Sequence, residues 1–377
     1  MSELITISHP ERLLSRDLLK KEGGFLWWYL DLVNDQGDGA VLIWSWGLPF
    51  LPGIASGARK GEPVKPEERP SLTIAIYKSF KLECYTLQEY EPSDTSWKTH
   101  QYQSDPNAQT WIFGENQMRV WRVDNDVMVE ADIHEKIPGS MHKLVGHIKL
   151  KGIARTQGPE LARGHDPAHD WTPLMGPASG QLDLYHGAVE YHIQGRGYHD
   201  RNGGENPLHE LGFKRWIWGR IPGQDREYIY YILWPHNHAK PRCVGMEILD
   251  DGTTILHEDL EVRQHDRKRE LAGMWWHKSL ELFSDGEKWG EITVQSIVDN
   301  GPFYLRFFIE AKFHNESYTG IAEACDPRRV DLPQHRPLVQ MRVGKPEQDS
   351  IWRPLFTGPR QGRVERLISQ FLPGNAP

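Results

Sequence analysis

Tyr198 and Asp200 stand two residues apart in GRGYHDRNGG, and Trp216 and Trp218 repeat that spacing in WIWGR. In an extended chain, residues i and i+2 face the same side, so each pair presents both side chains to one surface. A carboxyl set against aromatic rings is costly to ionise, so its pKa rises and it stays protonated near neutrality. Such an acid can protonate a weak base such as an alkene. The resulting carbocation is stabilised by the electron-rich faces of Trp and Tyr. The same rings exclude bulk water until a controlled step. The plainer reading of this stretch is a hairpin with a polar loop and one aromatic face.

The elements that must position these residues read almost entirely as strands. Short β-branched and aromatic runs recur along the chain, among them FLWWYLDLV, AVLIWSW, SLTIAIY, YIYYILW and FYLRFFIEAKF. Gly and Pro punctuate them throughout, and NDQGDG (34–39), DNDV (124–127), DDGT (250–253) and SDGEK (284–288) read as turns. Only ERLLSRDLLKK near the start and GRVERLISQFL near the end read as helix. Many short strands with frequent turns mean sandwiches or barrels, so the expected class is all-β. GARKGEPVKPEERP (57–70) reads as a mobile polar loop. The irregular segment 155–180, with its His, Asp, Trp and Met, is long enough to expect a functional role.

Composition narrows the function. At 377 residues the chain has room for two or three domains and a sizeable core. A net charge of −8 argues against a nucleic-acid partner. Cys84, Cys243 and Cys325 form no CxxC pair, and their odd number fits a reducing compartment. No basic-then-apolar leader is visible, and no apolar run reaches the ~20 residues that span a bilayer, so a cytoplasmic location is expected. Peripheral contact with a membrane surface is compatible with this. Gly195-Arg196-Gly197 lacks the third glycine and the βαβ setting of a dinucleotide loop. His236 with His238, and His165 with His169, have no evident third ligand, so no metal and no cofactor are expected. Fifteen Trp residues fit either an aromatic β core or a broad aromatic cavity.

The order and spacing of several segments resemble the carotenoid 1,2-hydratase (hydroxyneurosporene synthase) family, within a wider group of two-domain lipocalin-like proteins. The resemblance runs along most of the chain, from WWYLDLVNDQGDGAVLIWSWGLPFLPG (27–53) through HDWTPLMGP (169–177), GRGYHDRNGG (195–204) and WIWGR (216–220) to GIAEACDPRRVDL (320–332) and LVQMRV (338–343). In these hydratases an H-x-W pair and a downstream Y-x-D pair are associated with catalysis. They fall here on His169 and Trp171, then on Tyr198 and Asp200. The resemblance implies that Asp200 protonates a terminal trisubstituted alkene, that Trp171 and Tyr198 face the cation, and that His169 orients or deprotonates the capturing water. Gly203-Gly204 after Asn202 departs from the family's bulkier pattern and is expected to reshape the pocket.

The resulting expectation is an all-β protein of two lipocalin-like barrel or sandwich domains with short terminal helices, spanning 1–205 and 206–377. The pocket should lie at the domain contact or in a barrel mouth. Asn202, Trp216, Trp218, Trp28 and Trp46 are expected to bind the substrate, a hydrophobic isoprenoid or polyene. Glu205 and Arg220 should flank the site, and Asp31 should sit in a polar network supporting the fold. The expected reaction is cofactor-independent, acid-initiated hydration or cyclisation. The alternatives are a cyclase working by shape alone and a non-catalytic isoprenoid or lipid carrier.

Overall fold

The computed structural model describes residues 4–11, 15–137, 140–156, 169–237, 240–335, 338–339 and 343–345, and the backbone of 348–352. Within them the chain is all-β. Strands from the N-terminal part, ending with Val189–Gly204, belong to one 15-stranded sheet. Those from Phe213–Pro222 to Glu316–Cys325 form a second sheet of nine strands. The chain then returns, and Val343–Lys345 pairs in parallel with Lys81–Glu89 of the first sheet. A division of the chain at residues 205 and 206 therefore leaves this returning strand on the first sheet.

Strand alternation explains how the layers meet. Phe25–Val33 is buried along its whole length, as expected of an unbroken apolar run covered on both faces. Leu26, Trp28, Leu30 and Leu32 point into the core of the first sheet. Phe25, Trp27 and Tyr29 point the other way, into a core shared by both sheets. Arg226–Pro235 does the same from the second sheet, with Tyr228, Tyr230 and Ile232 in its own core and Ile229, Tyr231 and Leu233 in the shared one. The shared core forms a seam between two lobes.

The 34–39 turn joins Phe25–Val33 to Gly39–Trp46. Its Gly37 has φ +77°, and a Cβ there would lie 2.4 Å from the ring of Phe80, so glycine is required. Residues 12–14 of the expected first helix lie outside the described residues, and its described part forms only a short helical turn. Arg16–Lys20 is a 3-10 turn that begins where the Ser15 hydroxyl accepts from the Asp17 amide, 3.1 Å away. This cap starts the helical chain at Arg16, after the first part of the apolar pattern. The expected C-terminal helix lies outside the described residues. A five-residue α-helix, Ile54–Ala58, is too short to show a period in the sequence. The three cysteines are buried and unbridged. Among the described residues, no helix is long and apolar enough to cross a membrane.

A buried charge cluster crosses the seam. Arg220 of the second sheet reaches Asp31 of the first, with both Nε and Nη2 donating to that carboxylate. Arg220 Nη1 donates to Glu227 at 3.1 Å, and Nη2 also donates to the carbonyl of Arg196. All three charged side chains are wholly buried. Burial works against the charge on Arg220, but Asp31 and Glu227 outweigh it and hold the guanidinium above its ordinary pKa. Burial pushes Glu227 up to about 7, opposed by Arg220. Removing one member of such a group strands the others, which costs about 3–5 kcal/mol. Arg220→Leu should therefore lower stability by about that amount in urea denaturation. Adding Asp31→Asn and Glu227→Gln to the same protein should recover part of the loss.

Candidate active site

Four strands deliver side chains to the seam by alternation alone. Val189–Gly204 contributes Tyr198, Asp200 and Asn202, and His169–Pro173 contributes His169 and Trp171. Phe25–Val33 contributes Trp27, Tyr29 and Asp31, and Phe213–Pro222 contributes Trp216, Trp218 and Arg220. Register fixes their relative heights, with Trp171 opposite Asn202, Pro173 opposite Asp200, and Tyr198 opposite Asp31. The cavity between the lobes is lined by Asp200, Asn202, His169 and Trp171 from the first sheet, and by Trp216, Trp218 and Tyr231 from the second.

Asp200 sits at the centre of the hydrogen-bond network on the cavity wall. It is 2% exposed. Its Oδ2 accepts from Trp171 Nε1 and from the Tyr198 hydroxyl, each at 2.9 Å. Its Oδ1 accepts from Asn202 Nδ2 at 2.8 Å. Burial dominates and pushes the carboxyl up to about 8, with the bonds from Trp171 and Tyr198 pulling the other way. At neutral pH the group is mostly an acid holding its proton.

His169 lies in an aromatic box. Ring centroids of Phe25, Trp27, Trp216 and Tyr231 are within 6.2 Å of its own. Its Nδ1 is hydrogen-bonded to the Tyr231 hydroxyl at 3.0 Å. Burial holds the imidazole down to about 3, with the Asn202 side chain opposing, so the ring is neutral. The bare backbone of Gly204 helps to make this box. A Cβ at Gly204 would come within 2.6 Å of the Phe25 ring, which itself stands edge-on to His169.

The predicted site residues separate into three groups. Asp200, His169, Trp171, Asn202, Trp216 and Trp218 converge on the cavity. Tyr198 stands behind Asp200, its ring against Trp218 and Tyr29, and reaches the site through its hydroxyl. Trp28 and Trp46 lie on the opposite face of the first sheet. There they pack 5.7 Å from one another, and Trp28 lies 4.7 Å from Trp111, inside the first lobe. Trp27, one residue earlier, is the indole that faces the seam cavity. Glu205 is exposed beside Lys21, and Arg220 belongs to the buried cluster. His165 and His238 lie outside the described residues. His236 bonds the carbonyl of Leu211, and no metal-holding cluster exists among the described residues.

Sequence reasoning missed the far wall. Glu323 accepts from Trp216 Nε1 at 3.2 Å and from the Tyr304 hydroxyl, and Arg306 lies 3.8 Å away. Glu323, Tyr304 and Arg306, with Tyr231, line the cavity. The available signal was a charge inside an apolar run: Arg306 in FYLRFFI and Glu323 in GIAEAC.

A family model for the carotenoid hydratase CrtC matches residues 59–352. The chain belongs to the carotenoid hydratase family. Membership makes it an enzyme of the hydro-lyase kind. An acyclic carotenoid 1,2-hydratase of Thiocapsa roseopersicina is 25% identical over 339 residues, covering 89% of this chain and 76% of the relative. A protein named hydroxyneurosporene dehydrogenase, from Chlorobaculum tepidum, is 24% identical over 330 residues, covering 82% and 84%. Among solved structures, CghA superposes with a TM-score of 0.53 at 12% identity, covering 83% of this chain and 90% of that one. At that identity the likeness is one of fold, and it supports the all-β architecture of the carotenoid hydratase family member described here.

The raised pKa of Asp200 has a stability consequence. Its folded value is about 8 and its unfolded value about 3.9. Between these the native state holds a proton that the unfolded state has lost, so this group makes stability fall as pH rises through the window. Asn imitates the protonated acid without that dependence. Asp200→Asn should therefore be more stable than the parent near neutrality. The gap in melting temperature should widen from pH 4 to pH 8 and then level off.

Proposed function

We propose that the seam cavity adds water across a terminal alkene of an acyclic isoprenoid or polyene, with Asp200 as the proton donor. The observation that carries this reading is the wholly buried Asp200 carboxyl, pushed up to about 8 in an aromatic wall. The carotenoid substrates named for the relatives supply the substrate class.

In this mechanism the Asp200 proton passes to the less substituted alkene carbon. The π pair forms the new C–H bond and leaves a tertiary cation. The faces of Trp171, Trp216 and Tyr231 stabilise that charge. Water attacks the cation through oxygen. In the tautomer that carries its hydrogen on Nδ1, toward the Tyr231 oxygen, His169 keeps its Nε2 lone pair for the proton that water releases. That nitrogen is buried with no hydrogen-bond partner among the described residues. The proton then returns to the Asp200 carboxylate, and the balance is alkene plus water to tertiary alcohol. Tyr198 acts as a positioning residue, through its bond to Oδ2.

The test incubates parent protein and Asp200→Asn with a panel of acyclic isoprenoids in D2O, followed by mass spectrometry. Parent protein should give a product carrying one solvent deuterium on carbon and one added water. The variant should be slower by about 10²–10⁴-fold or more, the usual contribution of a general acid, while still binding substrate. A deuterated isomer without added water would turn the reading to ring closure. Conversion unaffected by the variant would remove Asp200 from the chemistry.

The pH profile adds an independent prediction. kcat should be flat near neutrality and fall tenfold per pH unit above about 8, as the acid loses its proton. The Tyr198 hydroxyl bond favours the ionised form. Tyr198→Phe should therefore move this limb to higher pH, an effect that a purely structural role for Tyr198 would not produce.

A further inference from the structure

The second sheet's wall of the seam cavity carries charge that the hydration chemistry does not use. Arg306 on Tyr304–Phe313 stands directly opposite Glu323 on Glu316–Cys325 in the antiparallel register. Two residues along each strand, Phe308 and Ile321 point into the core shared by both sheets, so alternation turns Arg306 and Glu323 to the seam as well. Both line the cavity. The Arg306 side chain is 4% exposed and that of Glu323 is 19% exposed. Apolar side chains would line a hydrocarbon site with at least equal stability, because a buried ion pair adds little over apolar packing.

The pair is not closed on itself. Arg306 Nη2 and Glu323 Oε2 are 3.8 Å apart, an ion pair too long for a hydrogen bond. Among the described residues, the guanidinium makes one hydrogen bond, from Nη1 to the Tyr77 hydroxyl at 2.8 Å, and its carbon lies 5.2 Å from the centre of the Tyr304 ring. Glu323 accepts from Trp216 through Oε1 and from the Tyr304 hydroxyl through Oε2, so each oxygen keeps a lone pair. A third atom at the ordinary hydrogen-bond distance of about 2.9 Å from both Nη2 and Oε2 fits beside the line that joins them. Trp216 ties this pair to the reacting end of the cavity. Its ring centroid lies 6.2 Å from that of His169, while its Nε1 donates to Glu323.

We propose that Arg306 and Glu323 are specificity-determining residues that select a substrate with a hydroxyl on its chain. The hydroxyl oxygen accepts from Arg306 Nη2 and its hydrogen goes to Glu323 Oε2, while the alkene end lies at Asp200. This rests on the seam as the substrate cavity, and it narrows the substrate to an acyclic isoprenoid alcohol. A hydrocarbon answers neither group and leaves both charges facing apolar atoms. A carboxylate attracts Arg306 but has no hydrogen for Glu323 and meets its negative charge. Because Trp216 alone stands between His169 and Glu323, the chain between alkene and hydroxyl is short.

The test measures binding to Asp200→Asn protein by tryptophan fluorescence and calorimetry, so that turnover does not intrude. The ligands are geraniol and farnesol, each with the acid and the hydrocarbon of the same carbon skeleton. The better-bound alcohol should bind at least tenfold more tightly than its own hydrocarbon and its own acid. Adding Arg306→Met should bring alcohol and hydrocarbon to within about twofold, and adding Glu323→Gln should cut the preference at least threefold. A merely structural role, acting through a displaced Trp216, would weaken all three ligands together and leave their ratio unchanged. Circular dichroism establishes that each variant is folded, and the near-isosteric Glu323→Gln decides if Arg306→Met is not. Hydrocarbon or acid binding as tightly as alcohol on both skeletons overturns the proposal, as does a preference that survives the substitutions. Those results leave the hydration reading intact. Binding of none of the six ligands removes the seam as an isoprenoid site and this proposal with it. Alcohol-selective binding that depends on Arg306 and Glu323, with no hydration by the parent protein, supports the proposal and overturns the acid mechanism alone.

Discussion

The burial of the seam is the constraint on which the rest depends. Two sheets must meet closely enough to strip water from Asp200 and His169, yet the faces that meet carry charge. The Arg220 cluster reconciles these demands. Arg220 from one lobe, satisfied by Asp31 of the other and by its own neighbour Glu227, lets charged strands close without stranding an ion. Such clusters add little net stability compared with apolar packing. What this one contributes is placement, because its geometry is met only when Asp31 and Arg220 stand at one height across the seam.

Two carboxyls on this surface show how neighbours decide roles. Asp31 and Asp200 are both wholly buried and both accept from a tyrosine hydroxyl. Burial pushes each upward. Asp31 has a guanidinium against it, which favours the carboxylate. Asp200 has only neutral donors, Trp171, Tyr198 and Asn202, and keeps its proton. Two carboxyls on paired strands thus differ in charge because their neighbours differ.

Much of this was legible in the sequence because it follows from a period of two. The i, i+2 spacing of Tyr198 and Asp200, and of Trp216 and Trp218, places each pair on one face whatever the partner strand. Asp31 was readable as part of a polar network, since a lone charge in FLWWYLDLV needs a buried partner. The same rule, carried back from Asp31, puts Trp27 rather than Trp28 on the seam; adjacent tryptophans hide this unless the phase is counted from the charged residue. Trp46 faces away because its register places it beside Leu26, on the face of Trp28. Glu323, Arg306 and Tyr231 come from strands remote in sequence, and no local pattern states which strands will face one another. The first helix was overread because apolar spacing does not register a Ser15 cap inside the segment.

Val189–Gly204 is buried on both faces toward its C-terminal end, and this limits how its sequence can change. Inserting or deleting one residue between Arg196 and Tyr198 would exchange its faces, sending the acid into the first lobe's core and His199 toward the seam. Substitutions here alter one contact at a time, whereas a change of length scrambles every contact beyond it. In descendants of this chain the segment should accumulate replacements yet keep a fixed number of residues, with length variation confined to its two ends.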